Sequence, residues 1–315
     1  MGKAKKKYII ALFYIAILSL ITIYIINKYW NTFDNILPDE LISKGYKYII
    51  FGSQRTNTIE LYDLKKGSFI ELLPPNKDID SRFLEPVIGI SGIGYCIKEK
   101  SRFNIKNKVG ELITFSLQTL KYRRIDTVNI FNTYANLALS DNEQKLAFIF
   151  SHNLQSIPVL GILDTTDEII KENISIDKRF LKNPIQLIWK PDNKNIVIWD
   201  TLSGLPAVEI NTFTGESKII DYYPFDYYKD QYILVSGAHK ENICLFDLKQ
   251  NKKHRICYAG HTMKFSRDGK YFVSGRGRGI GSFETLEIID IMDFKKRFQV
   301  KMDDHPSTSL GLDIW

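Results

Sequence analysis

Two patterns of hydrophobic and polar positions divide the chain. Residues 8–26 (YIIALFYIAILSLITIYII) form a continuous apolar run without a charged side chain. Beyond this run, apolar and polar residues alternate with a period of two in short segments that polar turns separate. A continuous apolar run of this length is typical of a membrane-spanning helix, whereas the alternation predicts β-strands. The sequence therefore predicts one helix followed by an all-β domain.

The apolar run has the length of a membrane span. As a helix its nineteen residues reach roughly 28 Å, close to the ~30 Å of the bilayer's hydrocarbon core. Lys3, Lys5, Lys6 and Lys7 precede it, and a basic flank of this kind stays on the cytoplasmic side. A cleaved signal peptide is the alternative, but residues 27–30 offer no small-residue cleavage site.

These features predict a single-pass protein of the inner (cytoplasmic) membrane. Residues 1–7 form its cytoplasmic tail, residues 8–26 a signal-anchor helix, and residues 27–42 a tether. The rest of the chain, residues 43–315, is expected on the extracytoplasmic side because the basic flank is retained.

The alternating segments repeat along this domain. Each repeat places a polar residue between one alternating strand and the next, at Asp63, Ser116, Asp164, Asn211, Asp247 and Asp290. The six positions are 36 to 53 residues apart. Repeats of about 40–50 residues with four strands each are the signature of propeller blades. We therefore predict a six-bladed β-propeller over residues 43–315, with seven blades as the alternative.

Three repeats contain a turn followed by an apolar strand: SDNEQKLAF (140–148), KPDNKNIVI (190–198) and SRDGKYFVS (266–274). They resemble the S-P-D-G-K-x-[IL]-[AV]-F core of the WD40-like (PD40-type) repeats in TolB-like propellers. Blades 2 and 5 depart from this core, with Ile90 and the following residues in one and Asp226 in the other. The resemblance implies the architecture, but its members include envelope-complex components, sensor ectodomains and the propellers of prolyl-oligopeptidase-like enzymes.

The two ends of the domain predict how the ring closes. Residues 309–315 have the pattern of a strand that stops where the turn motif would begin, and residues 43–51 continue with that turn and its strand. We expect the C-terminal strand to form the innermost strand of blade 1, with Trp315 beside the turn at Lys44 and Gly45. Such closure removes an unpaired sheet edge.

Charge and cysteine content exclude several classes of function. The formal net charge is +7, and four N-terminal lysines leave +3 for residues 27–315, so no nucleic-acid partner is expected. No CxxC pattern or Cys/His cluster occurs, so neither a metal nor a cofactor is expected. A hairpin turning at Gln250 and Asn251 would make Cys244 and Cys257 cross-strand neighbours. They are a possible disulfide, with two buried thiols as the alternative.

Basic residues concentrate in the segments between the second and third strands of the blades. These segments hold nine basic and three acidic side chains. In propellers such loops share one face, and a basic face suits carboxylate or phosphate groups. The candidate binding residues are Arg55, Arg102, Lys106, Lys108, His239, Lys240, Arg276 and Arg278. Ordinary solvated loops are the alternative interpretation.

Catalytic motifs do not decide the function. Gly-x-Ser-x-Gly, P-loop and HExxH patterns are absent, and the five histidines are scattered. The sequence favours a binding module for a protein or an anionic polymer of the cell envelope. A hydrolase or lyase acting on an envelope polysaccharide is the alternative, and carboxylates converging at the channel mouth would favour it. A sensor is disfavoured, because seven cytoplasmic residues leave little to transmit a signal.

Overall fold

The structure is a computed structural model. It describes residues 17, 19, 34–53, 58–73, 82–99, 109–129, 137–150, 159–176, 185–200, 205–236, 243–255, 263–276, 285–302 and 307–314. Of the apolar run, Ile17 and Ser19 are described, both in helical conformation. Among all described residues, no helix has the length and apolarity needed to cross a membrane.

The described strands form six sheets, one for each blade of a six-bladed β-propeller. Within each sheet we number the strands from the innermost, called the first, to the outermost, called the fourth. Blade 1 consists of β25 (Ser307–Ile314), β2 (Tyr48–Ser53), β3 (Thr58–Asp63) and β4 (Ser68–Glu71). Blade 2 consists of β5 (Arg82–Ile88), β6 (Ile93–Glu99), β7 (Val109–Ser116) and β8 (Lys121–Asn129). Blade 3 consists of β9 (Ala138–Leu139), β10 (Lys145–Phe150), β11 (Val159–Asp164) and β12 (Ile170–Ser175).

The other three blades follow the same order. Blade 4 consists of β13 (Ile185–Trp189), β14 (Asn195–Asp200), β15 (Ala207–Asn211) and β16 (Ser217–Ile220). Blade 5 consists of β17 (Tyr223–Tyr228), β18 (Tyr232–Ser236), β19 (Ile243–Asp247) and β20 (Lys252–Arg255). Blade 6 consists of β21 (Met263–Phe265), β22 (Tyr271–Arg276), β23 (Thr285–Asp290) and β24 (Lys296–Lys301). A short strand, β1 (Asp34–Asn35), adds to the outer edge of blade 6.

The first strands of the blades surround a central channel. Each first strand contacts the first strands of both neighbouring blades, so that β25, β5, β9, β13, β17 and β21 complete a ring. Because neighbouring strands within a blade are antiparallel, the turns after the first and third strands lie on one face, which we call the turn face. The connections after the second strands lie on the opposite face, which we call the loop face.

The turn after each third strand explains the repeated polar position. Asp63, Ser116, Asp164, Asn211, Asp247 and Asp290 are each the last residue of a third strand. Their side chains accept backbone N–H groups from the turn that follows; Asp247, for example, accepts those of Lys249 at 3.0 Å and Gln250 at 2.9 Å. Asp, Asn and Ser are favoured at such positions because their side chains satisfy turn amides.

The hydrophobic core lies between adjacent blades. Buried clusters join blades 1 and 2, 2 and 3, 3 and 4, and 4, 5 and 6. Two tryptophans of blade 4 donate hydrogen bonds to the neighbouring blades. Trp189 Nε1 donates to Ala138 O of blade 3 at 2.9 Å, and Trp199 Nε1 donates to Pro224 O of blade 5 at 2.7 Å. Sheets buried on both faces therefore hold the ring rigidly.

The predicted closure is confirmed. Strand β25 pairs with β2, with Ile314 opposite Ile49 and Leu312 opposite Phe51. The C-terminal strand thus supplies the innermost strand of the sheet that also contains the first described propeller strands. Trp315 lies outside the described residues.

Residues 34–43, which precede the first propeller strand, pack against the ring. Strand β1 runs parallel to β24, and Ile36 N–H donates to Arg297 O at 2.8 Å. The helix α1 (Pro38–Ser43) follows, with Pro38 in its first turn and acidic residues near its N-terminus, both favourable there. Ile36 and Leu41 are 3% and 0% exposed, packed at the junction of blades 6 and 1.

Candidate functional site

The channel opens on the turn face into a cavity of about 210 Å³, which we call the mouth. Its wall comes from four blades, because the first strands of blades 2, 3, 5 and 6 end there. The charged lining residues are Asp141, Glu143, Asp226, Lys229, Lys264 and Arg267. Apolar lining comes from Val87, Ile88 and Phe265. The mouth is thus an amphipathic depression with charges of both signs.

Asp226 lines the mouth and joins blades 5 and 6. Its Oδ2 accepts the backbone N–H of Phe265 at 2.8 Å, and its Oδ1 lies 3.7 Å from Lys264 Nζ. Burial raises the pKa of the Asp226 carboxyl, and the positive charge of Lys264 opposes that rise. A β-bulge between Pro224 and Asp226 shifts the register of β17 against β18.

Asp141 comes from the third blade and is open to the mouth. Partial loss of solvent raises the pKa of its carboxyl, the negative charge of Asp226 raises it further, and Lys264 opposes the rise. The two carboxylates and Lys264 therefore form one electrostatically coupled group.

Glu143 fixes the rim of the mouth between blades 2 and 3. Its carboxylate accepts the backbone N–H of Ser91 at 3.1 Å and the Ser91 hydroxyl. A Cβ atom on Gly89 would lie 2.1 Å from Glu143 Oε2, so a larger residue at position 89 would displace the Glu143 carboxylate. Glu143, whose side chain holds the rim, has a left-handed backbone conformation with φ 58°.

A groove of about 640 Å³ runs outward from this rim between blades 2 and 3. Glu143 lines both the groove and the mouth, so the two depressions adjoin. Arg123 and Glu168 form a two-point ion pair across the groove, with Arg123 Nη1 donating to Glu168 Oε2 at 2.8 Å. Hydroxyl groups of Ser91, Thr114, Ser116, Thr119 and Thr165 and the rings of Tyr95 and Tyr122 line the rest.

Most of the predicted basic binding residues fall outside the described residues. These are Arg55, Arg102, Lys106, Lys108, His239, Lys240 and Arg278. Arg276 is the last residue of β22, at the loop-face end of that strand. Three more of the charged residues counted in these predicted loops also lie in strands. Lys98 and Glu99 lie in β6, and the fully buried Asp200 ends β14.

The register expected for the Cys244 hairpin is wrong. The structure pairs Cys244 with Arg255, and Asp247 with Lys252, so the turn is centred one residue earlier than expected. Cys257 lies outside the described residues. The disulfide with Cys244 stays a prediction, but the hairpin register from which it was inferred is not the one in the structure. Cys244 and Cys96 are buried thiols, and burial raises the pKa of Cys96.

The described residues contain no group of three His, Cys, Asp or Glu side chains placed to hold a metal ion. The sequence did not single out Asp141, Asp226 and Lys264 as a group. Asp141 belongs to a turn motif whose usual role is local, and Asp226 was assigned to a turn, whereas it lies within β17. The β-bulge that directs Asp226 has no sequence signature.

No protein-family model matches the chain. Crystallised TolB from Acinetobacter baumannii is similar in structure, with a TM-score of 0.61 at 13% identity over 86% of this chain and 66% of TolB. A protein of unknown function from Desulfotomaculum acetoxidans has a TM-score of 0.50 at 12% identity, over 81% and 79% of the two chains. The chain has the fold of a TolB-like β-propeller.

One curated protein sequence is similar over a short segment. The mouse "DmX-like protein 1" is 30% identical in an alignment of 96 residues, which covers 28% of this chain and 3% of that protein. The chain therefore matches a very small part of this relative and just under two thirds of the TolB chain.

Proposed function

We propose that the protein is a membrane-anchored, extracytoplasmic binding module that holds a protein or an anionic polymer of the cell envelope on its loop face. The observation that carries this proposal is topological. The second strands of the blades end on the loop face, whereas the N-terminal segment enters at the turn face beside Lys295. A chain anchored through residues 8–26 would therefore present its basic second-to-third connections away from the membrane.

The fold supports a binding role on physical grounds. Blades that pack on both faces hold loop ends at fixed positions, and rigid scaffolds with variable loops are a common means of recognition. The arginine and lysine residues predicted for this face would bind carboxylate or phosphate groups, arginine in a two-point geometry.

Crosslinked affinity capture from native membranes tests the proposal. Tagged full-length protein is compared with an Arg102→Ser, Arg276→Ser, Arg278→Ser variant. The matched control removes three positive charges from the turn face instead, as Lys121→Ser, Lys194→Ser, Lys270→Ser. We expect the control to retain the captured partner and the loop-face variant to lose it. Equal capture by all three proteins would contradict a loop-face site.

A polysaccharide hydrolase or lyase is the second candidate, and one observation favours it. Asp141 and Asp226 converge at the mouth, and the pKa of each carboxyl is raised. Paired carboxyl groups with altered pKa values can supply general acid and base catalysis. Release of reducing ends from envelope polysaccharides measures this activity, and Asp141→Asn should abolish it because Asp141 faces the open mouth. Turnover that survives this substitution would exclude catalysis by the pair.

A further inference from the structure

Lysines are unevenly distributed around the turn face. We define each third-to-fourth turn as the residues from the last residue of the third strand to the first residue of the fourth strand. In blades 5, 6 and 1 these turns contain six lysines: Lys65, Lys66, Lys249, Lys252, Lys295 and Lys296. The same turns of blades 2, 3 and 4 contain a single lysine, Lys121. One half of the turn face is therefore lysine-rich.

Carboxylates do not cancel this asymmetry. On the lysine-rich half, Asp63, Asp247 and Asp290 accept backbone N–H groups of their own turns. Asp63 Oδ2 also lies 3.6 Å from Lys66 Nζ, and Asp293 is an exposed acid in the turn of blade 6. The six lysines are all exposed. On the opposite half, Asp167 and Glu216 are exposed acids in third-to-fourth turns. The turns of blades 5, 6 and 1 thus present six exposed lysines against one exposed acid, whereas those of blades 2, 3 and 4 present one lysine against two exposed acids. The surface on blades 5, 6 and 1 is therefore the more positive one.

The N-terminal segment enters the propeller at the centre of the lysine-rich half. Asp34 N–H donates to Lys295 O at 3.0 Å, and Asp34 lies opposite Lys296 in the strand pair of β1 and β24. Seven residues, 27–33, separate this point from the end of the apolar run. Even when fully extended they span at most about 25 Å. The entry point is therefore held close to any membrane in which residues 8–26 are embedded.

We propose that the lysine-rich half of the turn face, on blades 5, 6 and 1, is a docking surface for anionic lipid headgroups. The proposal rests on the membrane anchor of the proposed function. Two observations identify the occupant. The six lysines lie on the same side of the ring as the chain entry point, and the short linker holds that side close to the phosphates of the lipid headgroups. Exposed Met292, at the same edge, adds an apolar contact with the interface.

Docking of this kind would tilt the ring, with blade 6 nearest the membrane and blade 3 farthest from it. The groove between blades 2 and 3 would then lie on the raised side and stay accessible. The basic loop face would point outward. Anchor, lipid surface and ligand face would thus occupy separate parts of one rigid ring.

Site-specific fluorescence tests the proposal on full-length protein in lipid nanodiscs. An environment-sensitive thiol probe is placed at Met292→Cys on blade 6 or at Ile169→Cys on blade 3. Both positions are exposed apolar residues in third-to-fourth turns, at 83% and 57% exposure. The unsubstituted protein gives the background from its own cysteines. Spin-labelled phosphatidylglycerol in a phosphatidylcholine disc serves as the quencher.

We expect quenching at position 292 to exceed quenching at 169 by roughly twofold or more. Replacing Lys65, Lys66, Lys249, Lys252, Lys295 and Lys296 together by Gln should remove most of that difference. Equal quenching at both positions, or stronger quenching at 169, would overturn the docking surface. An unchanged difference in the six-lysine variant would show that the short linker alone orients the ring and would overturn headgroup binding. Failure of the protein to enter the discs would overturn the anchor, and the docking surface with it.

Discussion

Leu120 occupies a turn position that suits glycine. Its φ is 54°, and its N–H donates to Ser116 O at 2.8 Å. The equivalent positions of blades 1 and 4 are Gly67 and Gly215, with φ 64° and 73°. A left-handed conformation costs a residue with a Cβ roughly 1–2 kcal/mol, whereas glycine adopts it freely. Sequence alignment of the turns could have revealed this mismatch, because the position lies four residues after the repeated polar residue.

Leu120→Gly should therefore stabilise the protein. We expect the free energy of unfolding to rise by about 0.5–1 kcal/mol, because relief of the backbone strain exceeds the added entropy of the unfolded chain. Urea unfolding measures the change. The matched control is Gly215→Ala, where a Cβ would meet no atom within 4 Å and the expected effect is a loss of about 1 kcal/mol. A decrease in stability for Leu120→Gly would contradict the explanation.

Glu287 and Arg297 form a buried ion pair in blade 6. Their side chains are 0% and 7% exposed, and Arg297 Nη1 lies 3.4 Å from Glu287 Oε2. Burial raises the pKa of Glu287, and the positive charge of Arg297 opposes that rise. Gln299 also donates to Glu287. This carboxylate therefore depends on Arg297 to remain charged inside the sheet.

Arg297→Met should lower the free energy of unfolding by about 3 kcal/mol at neutral pH, because it leaves a buried carboxylate without its cation. The loss should shrink as the pH falls. A folded-state pKa above the unfolded value means that the native state binds the proton more tightly, so stability decreases as pH rises from about 4.3 through the raised value. Unfolding measured from pH 4 to 7 tests this. Adding Glu287→Gln should flatten the pH dependence, and a slope that persists would assign it to another group.

At the scale of secondary structure, the sequence predicted what is local and repeated. The turn caps are short-range features, so their spacing revealed the six third strands and hence the blades. The position of Asp226 escaped prediction because a bulge in β17 changes its direction without changing the residue pattern. The register of the Cys244 hairpin was predicted wrongly because the turn runs from Asp247 to Lys252 and is not a tight turn at Gln250 and Asn251. Candidate site residues on the loop face stay predictions.

The closing strand β25 is the element whose loss should affect the ring most. Deleting residues 309–315 removes most of its pairing with β2 and leaves the inner edge of blade 1 open. We expect the melting temperature to fall by about 10 °C or more, equivalent to roughly 5 kcal/mol at about 2 °C per kcal/mol. Thermal unfolding followed by circular dichroism measures it. Removal of residue 315 alone is the control, and an unchanged melting curve for the longer deletion would contradict closure by β25.

At the scale of the whole molecule, residues 34–42 pack against the propeller, although they precede its first repeat. The sequence predicted a tether over residues 27–42. The packing of residues 34–42 depends on long-range contacts that no local pattern encodes. The Tyr46 hydroxyl donates to Asp268, and Arg267 Nη2 donates to Gly45 O at 3.0 Å. The chain leading into blade 1 is thereby joined to blade 6.

Two shortened versions of the protein test whether this packing stabilises the ring. A version beginning at residue 34 keeps β1 and α1, so its propeller should melt at the same temperature as that of the full-length protein. A version beginning at residue 44 loses the burial of Ile36 and Leu41, which should cost about 3–6 kcal/mol. It should also expose the outer edge of β24 to pairing with other chains. Equal melting of the two versions would show that the segment merely rests on the ring and does not stabilise it.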